Sequence, residues 1–301
     1  MLGLGLSGGS AEAAPARGFH EAVKEIVDHH IDEAAVGPAL DAGLVEIVGR
    51  LDPHSYVLNP EQRALQKRAA AAGVTTGLSI AQHDGSLRVA GVVPSSPAAA
   101  AGIEVGERVV SIDGATRFDS AAVANLALFG DAGDRHRVVL RNGAAPPRTV
   151  ELELVPRQRV AVVESQVLEH AGMRVGVVCI HAFWNGTGEA VRRALVQMRA
   201  SGVQSVVLDL RENPGGVLDE ALVVADALVD RGVLMRSRGR HGRILREELA
   251  HAAGTDTTTR VVVLVDRHTA SAAELLAMTL RDHKRAVVIG ERTYGKGTVQ
   301  E

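Results

Sequence analysis

Apolar residues at Phe19, Val23, Ile26 and Val27, and again at Leu40, Leu44, Val45, Val48 and Leu51, recur at helical spacing. They predict two helices ahead of Asp52-Pro53. The residue before a proline is pushed out of the α region, so the Leu-Asp-Pro-His-Ser stretch at 51–55 ends the second helix and His54 belongs to the turn. A charged, alanine-rich segment up to Ala72 reads as a connector. From Gly77 the pattern shortens to β-like runs at 78–81, 87–93, 109–112, 138–140 and 150–155, punctuated by Asp84-Gly85 and Asp113-Gly114. Helical pieces at 97–101 and around 120–128 interrupt them. This β-rich region holds no catalytic constellation, and binding is its expected work.

After Arg159 the pattern changes again. Continuous apolar runs at 175–180, 206–210, 261–265 and 286–289 alternate with amphipathic stretches at 189–199, 217–229 and 272–282. That alternation predicts a βαβ core with a mainly parallel, buried sheet. In such sheets active sites gather beyond the carboxyl ends of the strands, so the turns there are where chemistry is expected.

Composition narrows the partners more than the fold. With 301 residues and 46% hydrophobic content the chain is a globular protein of two or three domains. A net charge of -3, from 33 basic and 36 acidic residues, gives no reason to expect nucleic acid or an anionic membrane. The single cysteine, Cys179, has no intrachain disulfide partner and lies in an apolar run, so a packed thiol is expected. The first residues lack a basic n-region and hold an apolar stretch far shorter than an h-region, so either no export signal or only part of one is expected here, and no run approaches the roughly 20 apolar residues of a membrane span. The twelve histidines include no His-Glu-x-x-His pair, and His29-His30 cannot both face one metal.

Two turns carry candidate chemistry. Arg211-Glu212-Asn213-Pro214-Gly215-Gly216 follows one buried strand and precedes a helix, where paired glycines either make a plain turn or let backbone N–H groups approach an anion. After another strand, Asp266-Arg267-His268-Thr269-Ala270-Ser271 opens a helix, and Ser271 with Glu274 fits the spacing of a capping box. Taken alone, Ser271 is an N-cap. A third segment changes that reading: Thr293-Tyr294-Gly295-Lys296-Gly297-Thr298-Val299-Gln300 sets a lysine between glycines after a strand, without the earlier glycine of a phosphate loop. A lysine in a water-poor pocket loses its proton more readily and can serve as general base for a serine hydroxyl. A Ser/His/Asp triad through His268 is the rival arrangement, but no carboxylate is evident to orient that ring.

Four separated motifs in order resemble the carboxy-terminal processing (tail-specific) proteases, a serine–lysine family. They are Leu51 to Ser55, Asp209 to Gly216 (Asp-Leu-Arg-x-Asn-x-Gly-Gly), Thr269 to Glu274 (Thr-Ala-Ser-Ala-x-Glu) and Gly295 to Gln300 (Gly-Lys-Gly-Thr-Val-Gln). Ser271 and Lys296 stand 25 positions apart, as in that family. The resemblance implies an α+β multidomain fold: a flexible N-terminus at 1–18, a helical segment at 19–70, a PDZ-like domain at 73–156, and a crotonase-like protease core at 160–301. It implies Ser271 as nucleophile, Lys296 as base and Gln300 as the residue holding the lysine amine. The oxyanion hole would come from the Ala272 N–H and one from Gly215 or Gly216. Thr76, Gly77 and Leu78 would belong to the loop that captures a peptide carboxylate. No metal or organic cofactor is implied. Partners would be proteins or peptides with apolar C-terminal tails, not nucleic acid, with room for a homo-oligomer. Relatives are mostly exported to the bacterial envelope or its organellar counterpart, so an envelope or periplasmic location is expected.

Three positions depart from the family pattern. Ala273 replaces a common serine, outside the catalytic set. Leu128-Phe129-Gly130 lacks the arginine of a Leu-Arg-Gly stretch, which puts coupling of the PDZ-like domain to activity in doubt. Relatives continue beyond the position of Gln300, whereas this sequence stops at Glu301. The alternative to an active protease is therefore a peptide-binding protein whose core does not cleave. An acyl-CoA-handling crotonase relative fits the core but leaves the PDZ-like segment unexplained.

Overall fold

The computed structural model describes residues 14–29, 32–51, 54–170 and 172–298, and the chain divides into two compact units at Asn59–Pro60. The first unit holds α1 (Ala14–His29) and α2 (Glu33–Leu51). Asp32 caps α2 by accepting from the N–H groups of Ala34 and Ala35, which starts the helix earlier than its apolar periodicity suggests. His54 lies in a turn; Asp52 and Pro53 fall outside the described residues.

The second unit opens with α3 (Pro60–Ala72), where a connector was expected. Its apolar spacing is weak, but proline at its start, Glu61 in its first turn and a run of strong helix formers specify it, and Gly73 at φ +58° ends it. After the short β1 (Val74–Thr75) come β2 (Leu78–His83), β3 (Ser86–Val92), α4 (Pro97–Ala100), β4 (Arg108–Ile112), α5 (Ala121–Leu126), β5 (Arg135–Arg141), β6 (Arg148–Glu153) and β7 (Val155–Pro156). Strands β2 to β6 form one antiparallel sheet in sequence order, and β1 pairs with β7 to join the two ends of this domain. Asp84-Gly85, both at positive φ, make the β2–β3 hairpin, as their turn chemistry predicts. Alternation places Leu78, Ile80, Val89, Val138, Leu140 and Leu152 in the core.

The remaining elements are β8 (Val163–His170), β9 (Met173–Ile180), α6 (Thr187–Ala200), β10 (Ser205–Asp209), α7 (Leu218–Asp226), β11 (Val233–Arg238), β12 (Ile244–Leu249), β13 (Arg260–Val265), α8 (Ala272–Asp282) and β14 (Ala286–Gly290). Their main sheet has the order β14-β13-β10-β9-β8, parallel except for the β8 edge, which agrees with the mainly parallel core expected. Strand β8 and the β11–β12 hairpin escaped the sequence reading because polar and charged residues make up half or more of each strand. Residues of α6, α7 and α8 bury Val178, Ile180, Leu208 and Val263 on one face. The opposite face is only half-buried, so the strands alternate in burial where continuous burial was expected. Cys179 lies on that second face, half-buried rather than packed in the core.

The β-rich domain meets the core through a small cluster of Val93, Val160 and Ala182 with Trp184, over which Arg157 stacks at 5.5 Å. Gly91 of β3 lies so close to Pro214 that a Cβ would sit 2.8 Å from its ring. One of the two candidate turns therefore touches the β-rich domain directly.

Candidate active site

The turn between β13 and α8 is held on both sides. Asp266 accepts from the N–H groups of Glu212, His268 and Thr269 at 2.9–3.1 Å, and the buried Thr269 hydroxyl donates to Leu210 O at 2.9 Å. Ala270 N–H donates to Asn213 O at 2.9 Å, stitching this turn to the double-glycine turn. Ser271 then takes φ 55° and ψ −118°, a conformation that non-glycine residues rarely adopt and that typically costs about 1–3 kcal/mol. Such strain persists only where surrounding contacts enforce it, and it marks this serine as more than an N-cap.

The double-glycine turn is shaped by Asn213, which is fully buried. Its Nδ2 donates to Ile180 O at 2.7 Å and its Oδ1 accepts from Gly215 N–H at 2.8 Å. Gly215, at φ +93°, lies flush against the serine: a Cβ there would be 2.9 Å from Ser271 Cβ and 3.0 Å from Ala272 N. Gly216, at φ +139°, presses on Phe183, with 2.2 Å from a would-be Cβ to its carbonyl oxygen. Neither position tolerates a side chain. Among the described residues, the N–H groups of Ala272 and Gly216 have no protein acceptor. The first of these opens α8, where the helix dipole favours negative charge.

Glu274 connects this turn to the lysine. It is 6% exposed; one carboxylate oxygen accepts from Ser271 N–H at 2.8 Å and Lys296 N–H at 2.9 Å, and the other accepts from Gly295 N–H at 2.7 Å. The serine and lysine turns, from different parts of the chain, thus share one buried carboxylate. Tyr294 adds a second tie, its N–H donating to Thr269 O at 3.0 Å.

Nearby groups are poor rivals for the chemistry. Arg267 Nε donates to His268 Nε2 at 3.1 Å, and no carboxylate among the described residues orients that ring. Burial and the neighbouring Asp209 and Glu164 push the Cys179 thiol up, away from the thiolate. Burial works to raise the Asp209 carboxyl, but the Arg211 guanidinium outweighs it and holds the group below its usual range.

The candidate peptide groove lies along β2 beside α5. Thr76 is buried, and Gly77 at φ +78° packs so tightly on Ser96 that a Cβ would lie 2.1 Å from it. Gly77 N–H donates to the Thr75 hydroxyl at 2.8 Å and Leu78 N–H to the Thr76 hydroxyl at 3.3 Å, so these two donors are met within the loop. The outer edge of β2 is also occupied. Asn125 of α5 accepts from Ile80 N–H at 3.0 Å and donates to Ile80 O at 2.7 Å, while the Tyr294 hydroxyl donates to Gln82 O at 3.1 Å.

The sequence of residues 174–301 matches peptidase family S41, and that of 88–142 matches a PDZ domain. The chain is 35% identical over 269 residues to the C-terminal processing peptidase, chloroplastic, of Tetradesmus obliquus, covering 83% of this chain and 57% of that protein. It is 32% identical over 255 residues to the carboxyl-terminal-processing protease of Picosynechococcus sp., covering 83% of this chain and 61% of the relative. Among solved structures, the photosystem II D1 C-terminal processing protease aligns at a TM-score of 0.75 and 30% identity, covering 94% of this chain and 82% of the other. The chain belongs to peptidase family S41. It spans 50–57% of the length of the chloroplast relatives from Tetradesmus and Arabidopsis.

Within this S41 chain, the residues expected from the sequence fall into two places. Ser271, Ala272, Gly215 and Gly216 meet at one point, and the Lys296 turn joins them through Glu274. Thr76, Gly77 and Leu78 stand apart, at the candidate groove beside β2. Gln300 lies outside the described residues. Sequence reasoning gave Glu274 a capping role only, and gave no role to the Asn213 or Asn125 side chains or the Tyr294 hydroxyl. The spacing of Ser271 and Glu274 was a usable signal, but it accounts for one of the three donors that Glu274 receives.

Proposed function

We propose that this chain is a serine endopeptidase that cleaves proteins near or from their C-terminal tails. Ser271 Oγ attacks the scissile carbonyl carbon as Lys296 Nζ takes its proton. The same lysine then gives that proton to the leaving amine, and an acyl-enzyme remains on Ser271. Water attacks the ester, Lys296 takes its proton, and return of that proton to Ser271 Oγ releases the carboxylate product. Gln300 holds the lysine amine. The tetrahedral oxyanion is met by Ala272 N–H and Gly216 N–H, because the Gly215 N–H is committed to Asn213 Oδ1. The observation that carries the reading is the joining of the serine and lysine turns by Glu274.

Residues 73–156 act as the PDZ domain that gathers substrate tails, 160–301 as the protease core and 19–70 as a helical accessory segment. Tails with apolar C-terminal residues are the preferred substrates, added to β2 as an extra strand. An envelope compartment, periplasmic or its organellar equivalent, suits such a task, and a homo-oligomer is compatible with it. The test is cleavage of unstructured β-casein by the purified chain, with a chelator present throughout, beside Ser271→Ala and Lys296→Ala variants. Cleavage by the parent that disappears in both variants supports the proposal. A folded parent that binds tail peptides without cleaving would overturn it.

A further inference from the structure

A cluster of arginines stands at the end of the β2 groove remote from the carboxylate loop. The β2–β3 hairpin, the start of β4, the 116–119 segment and the end of β5 enclose a pocket of about 480 Å³ lined by Gln82, Arg108, Arg117, Phe118, Asp119 and Arg141. Arg108 stands directly opposite Arg88 on β3 and Arg141 on β5, and like charges in cross-strand register weaken a sheet. Arg88 donates to Gly106 O at 3.0 Å. Among the described residues Arg108, Arg117 and Arg141 have no ion pair or side-chain acceptor, and Asp119 is the one acid on the wall. Two other arginines of the same domain are matched with acids, Arg148 with Glu107 and Arg135 with Glu153. Three unmatched guanidinium groups around one concavity, on a chain of net charge -3, call for an anion from outside the fold.

The groove supplies the direction from which that anion comes. A tail whose terminal carboxylate sits before Leu78 runs antiparallel to β2, so its upstream residues displace Asn125 from Ile80, then the Tyr294 hydroxyl from Gln82, and then reach the hairpin. At about 3.3 Å per residue, the residues about five to eight places upstream of the terminus arrive at the pocket, which shares Gln82 with the groove. We propose that this pocket is a second specificity subsite, taking acidic side chains upstream of the apolar C-terminus of a bound tail. The proposal rests on reading the β2 groove as the tail-binding site.

Fluorescein-labelled peptides of about twelve residues, with one apolar C-terminus and either glutamate or glutamine at those upstream positions, test it by anisotropy on the full 301-residue chain. The glutamate peptide binds at least about five-fold more tightly at low salt, and the gap closes at high salt. In the Arg108→Gln/Arg117→Gln/Arg141→Gln variant the gap is lost while affinity for the glutamine peptide is kept, which also reports an intact fold. Equal affinity of both peptides for the parent overturns the subsite and leaves the groove reading standing. Binding of neither peptide overturns both. Glutamate-dependent binding that survives C-terminal amidation, or that inorganic phosphate abolishes in the parent without affecting the glutamine peptide and without a gap in the amidated pair, separates the cases: the first overturns a subsite tied to the tail, the second supports one.

Discussion

Replacing Glu274 by glutamine keeps the side-chain shape and removes one acceptor oxygen and the charge. Glu274 receives three backbone N–H groups, two from the lysine turn and one from the serine turn. In the better of its two orientations glutamine keeps the oxygen toward Ser271 and Lys296 and turns its NH2 toward Gly295, so one charge-assisted bond becomes a clash of donors in a buried site. A hydrogen bond to a charged group contributes about 1.5–3 kcal/mol, so Glu274→Gln is expected to lower unfolding stability by about 2–3 kcal/mol. That leaves a domain of ordinary stability, about 5–15 kcal/mol, folded. Its effect on chemistry is larger, because the two turns no longer share one anchor and a misplacement of about 1 Å between reacting groups costs about 100-fold in rate. Urea unfolding measures the first quantity and the rate of fluorophosphonate labelling at Ser271 the second. Labelling within about two-fold of the parent, in a variant that loses the predicted stability, would refute the claim that Glu274 sets the serine–lysine geometry.

Gly215→Ala drives a Cβ to within 2.7 Å of Ala270 O and 3.0 Å of Ala272 N, so labelling of Ser271 should fall about 100-fold or more in a protein that still unfolds cooperatively; unchanged labelling would contradict the close approach. Asn125→Ala frees both edge groups of Ile80, and at about 1 kcal/mol for each of the two hydrogen bonds tail-peptide affinity measured by anisotropy should rise by up to about thirty-fold; weaker or unchanged binding would show that Asn125 does not compete with the tail. Burial works to raise the Asp256 carboxyl, but the backbone and hydroxyl groups of Thr259 and Thr258 outweigh it and hold the group at about 2. Its stabilisation is therefore complete above the unfolded value near 3.8 and is lost as pH falls toward about 2. Asp256→Asn should lower stability by about 2 kcal/mol at neutral pH and flatten that acid limb in urea titrations.

Much of this molecule was legible in its hydrophobic period and turn chemistry. Helix α8 matches its expected bounds, and the strands holding Val206, Val261 and Ala286 lie in the expected parallel sheet, because buried strands and amphipathic helices leave strong local signals. What stayed hidden depends on tertiary context or on propensity without pattern. Helix α3 rests on helix formers and a proline start, with little amphipathic face. Strand β8 alternates polar residues on a sheet edge. At the site, the residues that touch the reacting turns were legible as motifs, whereas the groups that hold them were not. Asn213 reads as a turn residue until its amide is seen between Ile180 and Gly215, and Glu274 reads as a cap until the lysine turn folds back onto it. Tyr294 carries no sequence signal for its bond to Gln82, since 212 positions separate them.

The central claim, that Ser271 is a nucleophile activated by Lys296, is tested most directly by fluorophosphonate labelling of the purified chain, with the modified residue located by mass spectrometry. The account predicts one label per chain, on Ser271, that is lost in Ser271→Ala and reduced by about 100-fold or more in Lys296→Ala. A folded chain that takes no label, or takes it equally well without Lys296, would contradict it.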